Sequence, residues 1–217
     1  ENIKLQGGII NLKANNKEDF SLIPKLITQK QTSPFVIRNK KYYTPILHTI
    51  NTDNFVYEKF KFHNEGVYLI IGGSSGVGEE IAKHINNRFT ANIIISGTRD
   101  QNNLSKQLSS CIGDNFNYIQ TSVEDKVELK NLIDEVFKIY GQLNGIIFSA
   151  GAFKIGTLKT ISDLEFQRIL AIKLIGIRNL YEIIKAYQVD FVYLLSSASS
   201  LSPSWSYGIA AYGASNA

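Results

Sequence analysis

From Val67 onward, short apolar runs alternate with helix-length amphipathic segments, and this rhythm restricts the folds open to the chain more than any other feature. Residues 67–71 precede a helical stretch at 77–89, 92–96 precede 102–111, and 116–120 precede 124–140. The pattern continues with 143–149, 161–187, 191–195 and a last helix starting near Ala210. Five strands, each followed by a helix, predict a parallel sheet covered on both faces, because parallel neighbours need a crossover of about a dozen residues or more. The expected fold class is α/β, with a doubly wound parallel sheet. Ligands in such sheets sit beyond the carboxyl ends of the strands, which directs attention to the loops after Ile71, Ser96, Ser149 and Leu195.

The rhythm breaks near residue 66. Before it, 3–5, 9–12, 35–37 and 41–43 read as short strands, and 17–30 reads as a helix interrupted by Pro24. Residues 51–66 are polar with interleaved aromatics and no clear period, and are expected to be a connection packed on the surface of the next domain. The division is therefore 1–60, part of a smaller α/β unit with its linker, and 61–217, the main domain. At roughly 150 residues per domain, the 217-residue length is about one and a half domains. The chain starts at Glu1, holds no Met, and ends inside a helix-like run at Ala217, so it is expected to be an excerpt of a longer protein.

Composition removes several classes. At 44% hydrophobic and 19% charged, the chain can bury a sizeable core, and disordered, collagen-like, coiled-coil and mucin-like readings fall. The net charge of +4 is spread along the sequence, which permits an anionic ligand without requiring nucleic acid. Cys111 alone cannot form an intrachain disulfide, and His48, His63 and His84 have no companion thiols at metal-ligand spacing, so a reducing compartment and no structural metal are expected. Cys111 reads as a small apolar residue near a helix end, and the histidines as structural or exposed. No apolar run approaches the ~20 residues of a membrane span and no signal peptide opens the chain. A cytoplasmic protein with no membrane partner is the expectation.

After the first strand comes Gly72-Gly73-Ser74-Ser75-Gly76-Val77-Gly78, leading straight into a helix. Such a turn lets the backbone approach a pyrophosphate, and the helix N-terminus offers it unpaired N–H groups and a partial positive charge. The spacing is G-x-x-x-G-x-G, and no Gly-Lys-Ser/Thr follows, which excludes a Walker loop. The competing reading is a tight turn whose glycines only relieve crowding between helix and strand. Gly72, Ser74, Ser75, Gly76, Val77 and Gly78 are the candidate cofactor contacts. The second strand ends Ser96-Gly97-Thr98-Arg99-Asp100. An acidic residue here holds a ribose 2′-hydroxyl, whereas a cation accommodates a 2′-phosphate; Arg99 precedes Asp100, so NADPH is favoured over NADH, with a solvated Arg99 as the rival reading.

These features, together with VYLIIGGSSGVG at 67–78, GIIFSAGAF at 145–153, ILAIKLIGIRNL at 169–180, FVYLLSSASS at 191–200 and AAYGASNA at 210–217, resemble a short-chain dehydrogenase/reductase of Rossmann type. Within that superfamily the chain is similar to ketoreductase domains of modular polyketide synthases. Ordinary short-chain reductases carry Tyr-x-x-x-Lys after the fifth strand and an Asn on the preceding helix. Polyketide ketoreductases exchange the two, and here Tyr212 is followed by Asn216 while Lys173 occupies the earlier site. The resemblance implies Tyr212, Ser197, Lys173 and Asn216 as the catalytic set. It adds Thr98, Ser122, Val123, Ala150, Gly151, Lys173 and Tyr212 to the cofactor contacts; Ser122 stands where many relatives have an Asp.

The chemistry is consistent with those residue types. Reducing a ketone requires a hydride from the nicotinamide and a proton for the developing alkoxide, so a phenol of pKa ~10 must be made a better acid or tightly hydrogen-bonded. An ammonium such as Lys173 nearby favours the phenolate and can also hold a ribose hydroxyl. A serine hydroxyl at the strand end can donate to the carbonyl oxygen. Asn216, one turn beyond Tyr212 on the same helix face, can orient the Lys or a water. Strand-end position selects Ser197, whereas the family's usual spacing to the Tyr selects Ser199, and a two-residue insertion within LSPSWSYGIA reconciles Ser197 with the pattern. Trp205 and Tyr207 read as loop packing, with the substrate entrance as the other possibility.

The resemblance further implies a β-ketoacyl chain, linked through phosphopantetheine to an acyl carrier protein, as substrate, and neighbouring synthase domains as partners. Phe153-Lys154-Ile155 stands where B-type ketoreductases resemble Leu-Asp-Asp, which points to A-type stereochemistry and an L-configured alcohol. Residues 1–60 resemble the latter part of a bracing subdomain without chemistry. The later strands and substrate-covering helices of the family are expected to lie outside the 217 residues, leaving this piece weakly active or inactive. Two rivals remain: a non-reducing, structural ketoreductase-like domain, and a free-standing reductase of small ketones.

Overall fold

The structure, a computed structural model, describes residues 10–12, 21–28, 35–44, 46, 48–49, 51, 62–157, 159–201 and 203–217. In the first part, β1 (Ile10–Leu12) pairs in parallel with β2 (Phe35–Arg38), which pairs antiparallel with β3 (Lys41–Tyr43), and α1 (Ile23–Thr28) lies between β1 and β2 in sequence. Pro24 does not interrupt a helix as expected; it occupies the first turn of α1, where its missing N–H has no intrahelical partner to lose. The expected strand at 3–5, and 17–20 and 29–30 of the expected helix, lie outside the described residues.

The second part carries the site. Its strands are β4 (Val67–Ile71), β5 (Asn92–Gly97), β6 (Phe116–Gln120), β7 (Leu143–Phe148) and β8 (Val189–Leu194). The helices are α2 (Gly76–Arg88), α3 (Lys106–Cys111), α4 (Lys126–Tyr140), α5 (Asp163–Ile184) and α6 (Ala210–Ser215). All five strands are parallel, in the order β6-β5-β4-β7-β8. The chain winds outward from β4 to β6, then crosses back to β7, so the direction of winding reverses between β4 and β7. That reversal opens a crevice beyond their carboxyl ends.

Side-chain alternation explains why both faces of the central strands are covered. Val67, Leu69 and Ile71 of β4 pack with Leu129, Leu132, Ile133 and Val136 of α4 and Leu180 and Ile183 of α5. Tyr68 and Ile70 point the other way, joining Ile93 and Ile95 of β5, Ala82 and Ile85 of α2, and Leu108 of α3. Each buried Val, Leu or Ile among them contributes roughly 1.5–3 kcal/mol. Coverage fails at β8, where Tyr193 and Leu194 are about half exposed (48% and 49%). Beside them is an apolar groove of about 470 Å³ lined by Phe62, Ile81, Ile85, Ile147, Tyr193 and Leu195 among others.

Local capping sets the helix boundaries. The helix expected over 102–111 is split: Asp100 caps a short 3-10 turn, Gln101–Asn103, and Ser105 then accepts from Leu108 N to start α3. Ser162 and Glu165 form a reciprocal cap that starts α5. Gly141 ends α4 in the left-handed conformation, at φ 71°. Phe62, the first described residue of the connection's latter part, packs edge-on against Tyr68 and Phe191, with ring centroids 5.0 and 5.7 Å apart.

Candidate active site

The crevice has two ends. At the first, β4 runs into the glycine loop. Gly72 has φ +82°, and a Cβ there would lie 2.4 Å from Ala150 N, so only glycine lets β4 turn against the loop after β7. A Cβ on Gly78 would lie 2.6 Å from Gly72 O, so α2 packs directly on the turn. These two positions fit the crowding explanation. Gly76 does not: its φ is +58° and nothing lies within 4 Å of where its Cβ would be.

That open space is at the start of the 13-residue α2, whose N-cap Ser75 makes no side-chain cap hydrogen bond. Ser75, Gly76 and Val77 are exposed. Backbone N–H groups at the helix start therefore lack a side-chain acceptor, and an anionic group is the complement to them. The cradle fits a dinucleotide pyrophosphate. Ser74, by contrast, is buried, with its Oγ against Gly97.

Arg99, just past the end of β5, reaches across to Ser74 O with Nη1 at 3.4 Å. The Asp100 carboxylate is engaged elsewhere: its Oδ1 accepts from Asn102 N at 2.8 Å. After β6, Ser122 N donates to Glu128 Oε2, and the buried Val123 side chain belongs to the core rather than to an open surface. Val123 O is held by Asn179 Nδ2 of α5 at 3.0 Å. After β7, Ala150 abuts Gly72, and Gly151 lies over Lys173, whose Cε is 3.4 Å from the position of a Gly151 Cβ.

The second end joins three elements through one ammonium. Lys173, buried on α5, donates to Leu195 O at the end of β8 (2.5 Å) and to Asn216 Oδ1 just past α6 (2.6 Å). Desolvation by burial holds its pKa below the 10.5 of an ordinary lysine. Asn216 Nδ2 donates back to Tyr212 O at 2.8 Å, and Ser196 Oγ donates to Asn216 O at 2.8 Å. Lys173 thus connects to Tyr212 through the amide of Asn216. The Tyr212 ring stands edge-on to Phe153, with centroids 5.4 Å apart. The Phe153 loop is tied to the approach of α6 by Gly156 N donating to Gly208 O at 2.7 Å.

Ser197 caps the short 3-10 turn Ala198–Ser200. Its Oγ accepts from Ser199 N at 3.2 Å and from Ser199 Oγ at 2.9 Å. A hydroxyl has two acceptor positions and one proton, so Ser197 is left to donate outward. Ser199, only 7% exposed, directs its hydroxyl to Ser197. The segment expected to hold an insertion contains a second 3-10 turn, Pro203–Ser206. Tyr207 is 87% exposed and Trp205 46%, so the loop-packing expectation fails for Tyr207, which is carried outward on the turn before Gly208.

Residues 66–217 match the family model for the KR domain. The chain belongs to the KR domain family. Among curated relatives of this KR chain, polyketide synthase PksN of Bacillus subtilis is 33% identical over 206 residues, covering 92% of the chain and 4% of the relative. Polyketide synthase ThaG of Burkholderia thailandensis is 31% identical over 146 residues, covering 65% of the chain and 3% of the relative. The chain thus spans a small fraction of the curated relatives it matches. Among solved structures, a ketoreductase domain from the bacillaene assembly line superposes with a TM-score of 0.77 at 27% identity, over 98% of this chain and 51% of that one. Membership supports an oxidoreductase of short-chain dehydrogenase/reductase type, a fold that implies a nicotinamide cofactor. Among the described residues, no helix is long and apolar enough to cross a membrane.

Sequence reasoning missed two residues that hold this KR site together. Asn179 ties the loop after β6 to α5; its signal was a polar residue on the helix face of Gly176, Leu180 and Ile183, all buried at helical spacing. Ser196 anchors Asn216, and nothing in the Ser196-Ser197 pair distinguished the two roles.

Proposed function

We propose that the protein is an NADPH-dependent ketoreductase, which reduces the 3-keto group of an acyl chain held as a thioester on the phosphopantetheine of an acyl carrier protein. It acts in the cytoplasm among neighbouring synthase domains, with 61–217 as the catalytic unit and 1–60 as part of a bracing one. The observation that carries the reading is the 2.6 Å contact from Lys173 to Asn216, one turn beyond Tyr212. It supports the Lys/Asn exchange that separates polyketide ketoreductases from ordinary short-chain reductases.

When bound, the nicotinamide supplies the hydride. Gly76 and the open start of α2 would hold the pyrophosphate, and Gly151 and Lys173 would contact the nicotinamide half of the cofactor. Ser197 donates a hydrogen bond to the ketone oxygen, which orients it and stabilises the charge that develops there. Tyr212 Oη gives its proton to that oxygen as the alkoxide forms, completing the alcohol. Asn216 holds the Lys173 ammonium and bonds to the Tyr212 backbone carbonyl, which keeps the positive charge on the side of the crevice that carries Tyr212. NADPH is preferred because Arg99 is exposed to meet a 2′-phosphate while the Asp100 carboxylate is engaged in capping.

The test is NADPH oxidation by the polypeptide carrying this chain, with a β-ketoacyl thioester on carrier protein. Turnover is expected in the native sequence and its loss in Tyr212→Phe; undiminished turnover in that variant overturns the assignment. NADPH binding more tightly than NADH is expected, and the reverse order overturns the cofactor assignment.

A further inference from the structure

Three consecutive carbonyls, those of Gly97, Thr98 and Arg99, are held by side chains of the edge strand β6. Tyr118 Oη lies 2.9 Å from Gly97 O and 2.6 Å from Arg99 O, and its one proton is shared between the two acceptors. Gln120 Nε2 donates to Thr98 O at 3.2 Å. Tyr118 and Gln120 are two apart on a strand and share one face, so a single surface of β6 contacts the whole turn. Gly97 O also accepts from Thr121 N at 2.9 Å, which continues the β5–β6 pairing beyond the strand ends.

Because each peptide group is planar, fixing three successive carbonyls fixes the backbone dihedrals at Thr98 and Arg99. That in turn fixes the direction in which the Arg99 side chain leaves the backbone. Arg99 is exposed and reaches onward to Ser74 O in the glycine loop. At 3.4 Å that contact is long, so the guanidinium is placed chiefly by its backbone. Tyr118 itself is only 9% exposed, and burial raises its phenol above the ordinary 10.0, so it remains a donor across the neutral range.

The geometry points to Tyr118, assisted by Gln120, as the positioning residue that sets how well Arg99 discriminates a cofactor bearing a 2′-phosphate from one lacking it. This rests on the reading that Arg99 meets that phosphate. The Tyr118 hydroxyl touches no part of the cofactor cradle around Gly76; it acts through the peptide planes of residues 97–99. Its loss leaves the anion site at α2 intact and loosens the turn that carries the arginine.

The measurement is binding of NADPH and NADH to the purified polypeptide carrying this chain, by calorimetry or cofactor fluorescence, with no turnover needed. Tyr118→Phe keeps the ring and removes the hydroxyl. The NADPH Kd is expected to rise about tenfold, as the loosened guanidinium loses a charge-assisted hydrogen bond to the phosphate, while the NADH Kd changes less than about twofold. Gln120→Ala, at an exposed position, is expected to shift the ratio in the same direction by a smaller factor, and it carries the test if Tyr118→Phe does not fold. Equal losses for both cofactors, or an unchanged ratio in folded variants, overturn the inference. Arg99→Ala separates the two levels. A collapsed ratio in Arg99→Ala beside a native ratio in Tyr118→Phe defeats the inference alone, whereas a native ratio in Arg99→Ala removes the reading beneath it.

Discussion

The two ends of the crevice are built differently. At the proposed cofactor end, β4, the glycine loop and α2 follow one another within 22 residues, and the backbone itself forms the cradle. At the proposed catalytic end, Lys173, Leu195, Tyr212 and Asn216 come from three elements spread over more than forty positions and are joined by side-chain hydrogen bonds. Burial differs in the same sense. Every residue of β4 is buried, whereas no residue of β8 is. A cradle made of backbone tolerates side-chain change but not a Cβ in the wrong place; a constellation of side chains tolerates backbone adjustment but not the loss of one functional group.

The sharpest way to break that contrast is Tyr212→Phe. Turnover should fall about 10²- to 10⁴-fold, the usual value of a positioned acid, with a far smaller loss of NADPH affinity from the one hydroxyl; a loss of affinity as large as the loss of turnover would show that the two ends are not separable. Gly72→Ala probes the opposite end. Strain at φ +82° together with the close approach to Ala150 N should cost about 3 kcal/mol of stability, read as a lower urea midpoint, and a native midpoint would contradict the account of the turn. Asn216→Ala removes a charge-assisted bond to Lys173 and should lower kcat about 10- to 100-fold while leaving the midpoint close to native.

Smaller effects refine the catalytic end. Ser199→Ala should reduce kcat about fivefold with little change in KM, and should have no further effect in a Ser197→Ala background, because Ser199 acts through Ser197. Additive losses would mean that Ser199 touches the substrate itself. The last effect concerns pH. Lys173 binds its proton less tightly in the folded state than in the unfolded chain. Between its lowered pKa and 10.5, the unfolded chain keeps a proton that the folded one has released. Stability relative to Lys173→Met should therefore rise as pH increases through that window, and a relative stability that falls there would reverse the sign of the burial effect.

Legibility in the sequence follows the same division. The bounds of β4 and β6 were readable to the residue because apolar runs flanked by polar and glycine residues leave few alternatives. The break before α3 was not, because Asp100 and Ser105 are ordinary polar residues until their side chains cap two separate turns. The same applies to Pro24, whose effect depends on whether it falls in the first turn or the middle of α1. At the site, the motif pointed to Tyr212, Asn216 and Lys173, but the route from Lys173 to Tyr212 through the Asn216 amide was not legible.

Strand positions and the glycine turn were written in local patterns, since hydrophobic period and turn chemistry act between near neighbours, whereas Tyr212, Ser197, Lys173 and Asn216 were singled out by the family resemblance. Which oxygen each donor meets was settled by docking. Lys173 finds Leu195 and Asn216 because α5 and α6 close on the end of β8, and Ser199 gives its hydroxyl to Ser197 because the 3-10 turn buries it there. Tyr118 holds the Arg99 turn only because β6 lies in register beside β5. Local patterns carry no information on such contacts, whose geometry depends on the relative placement of elements folded at a distance from one another in the chain.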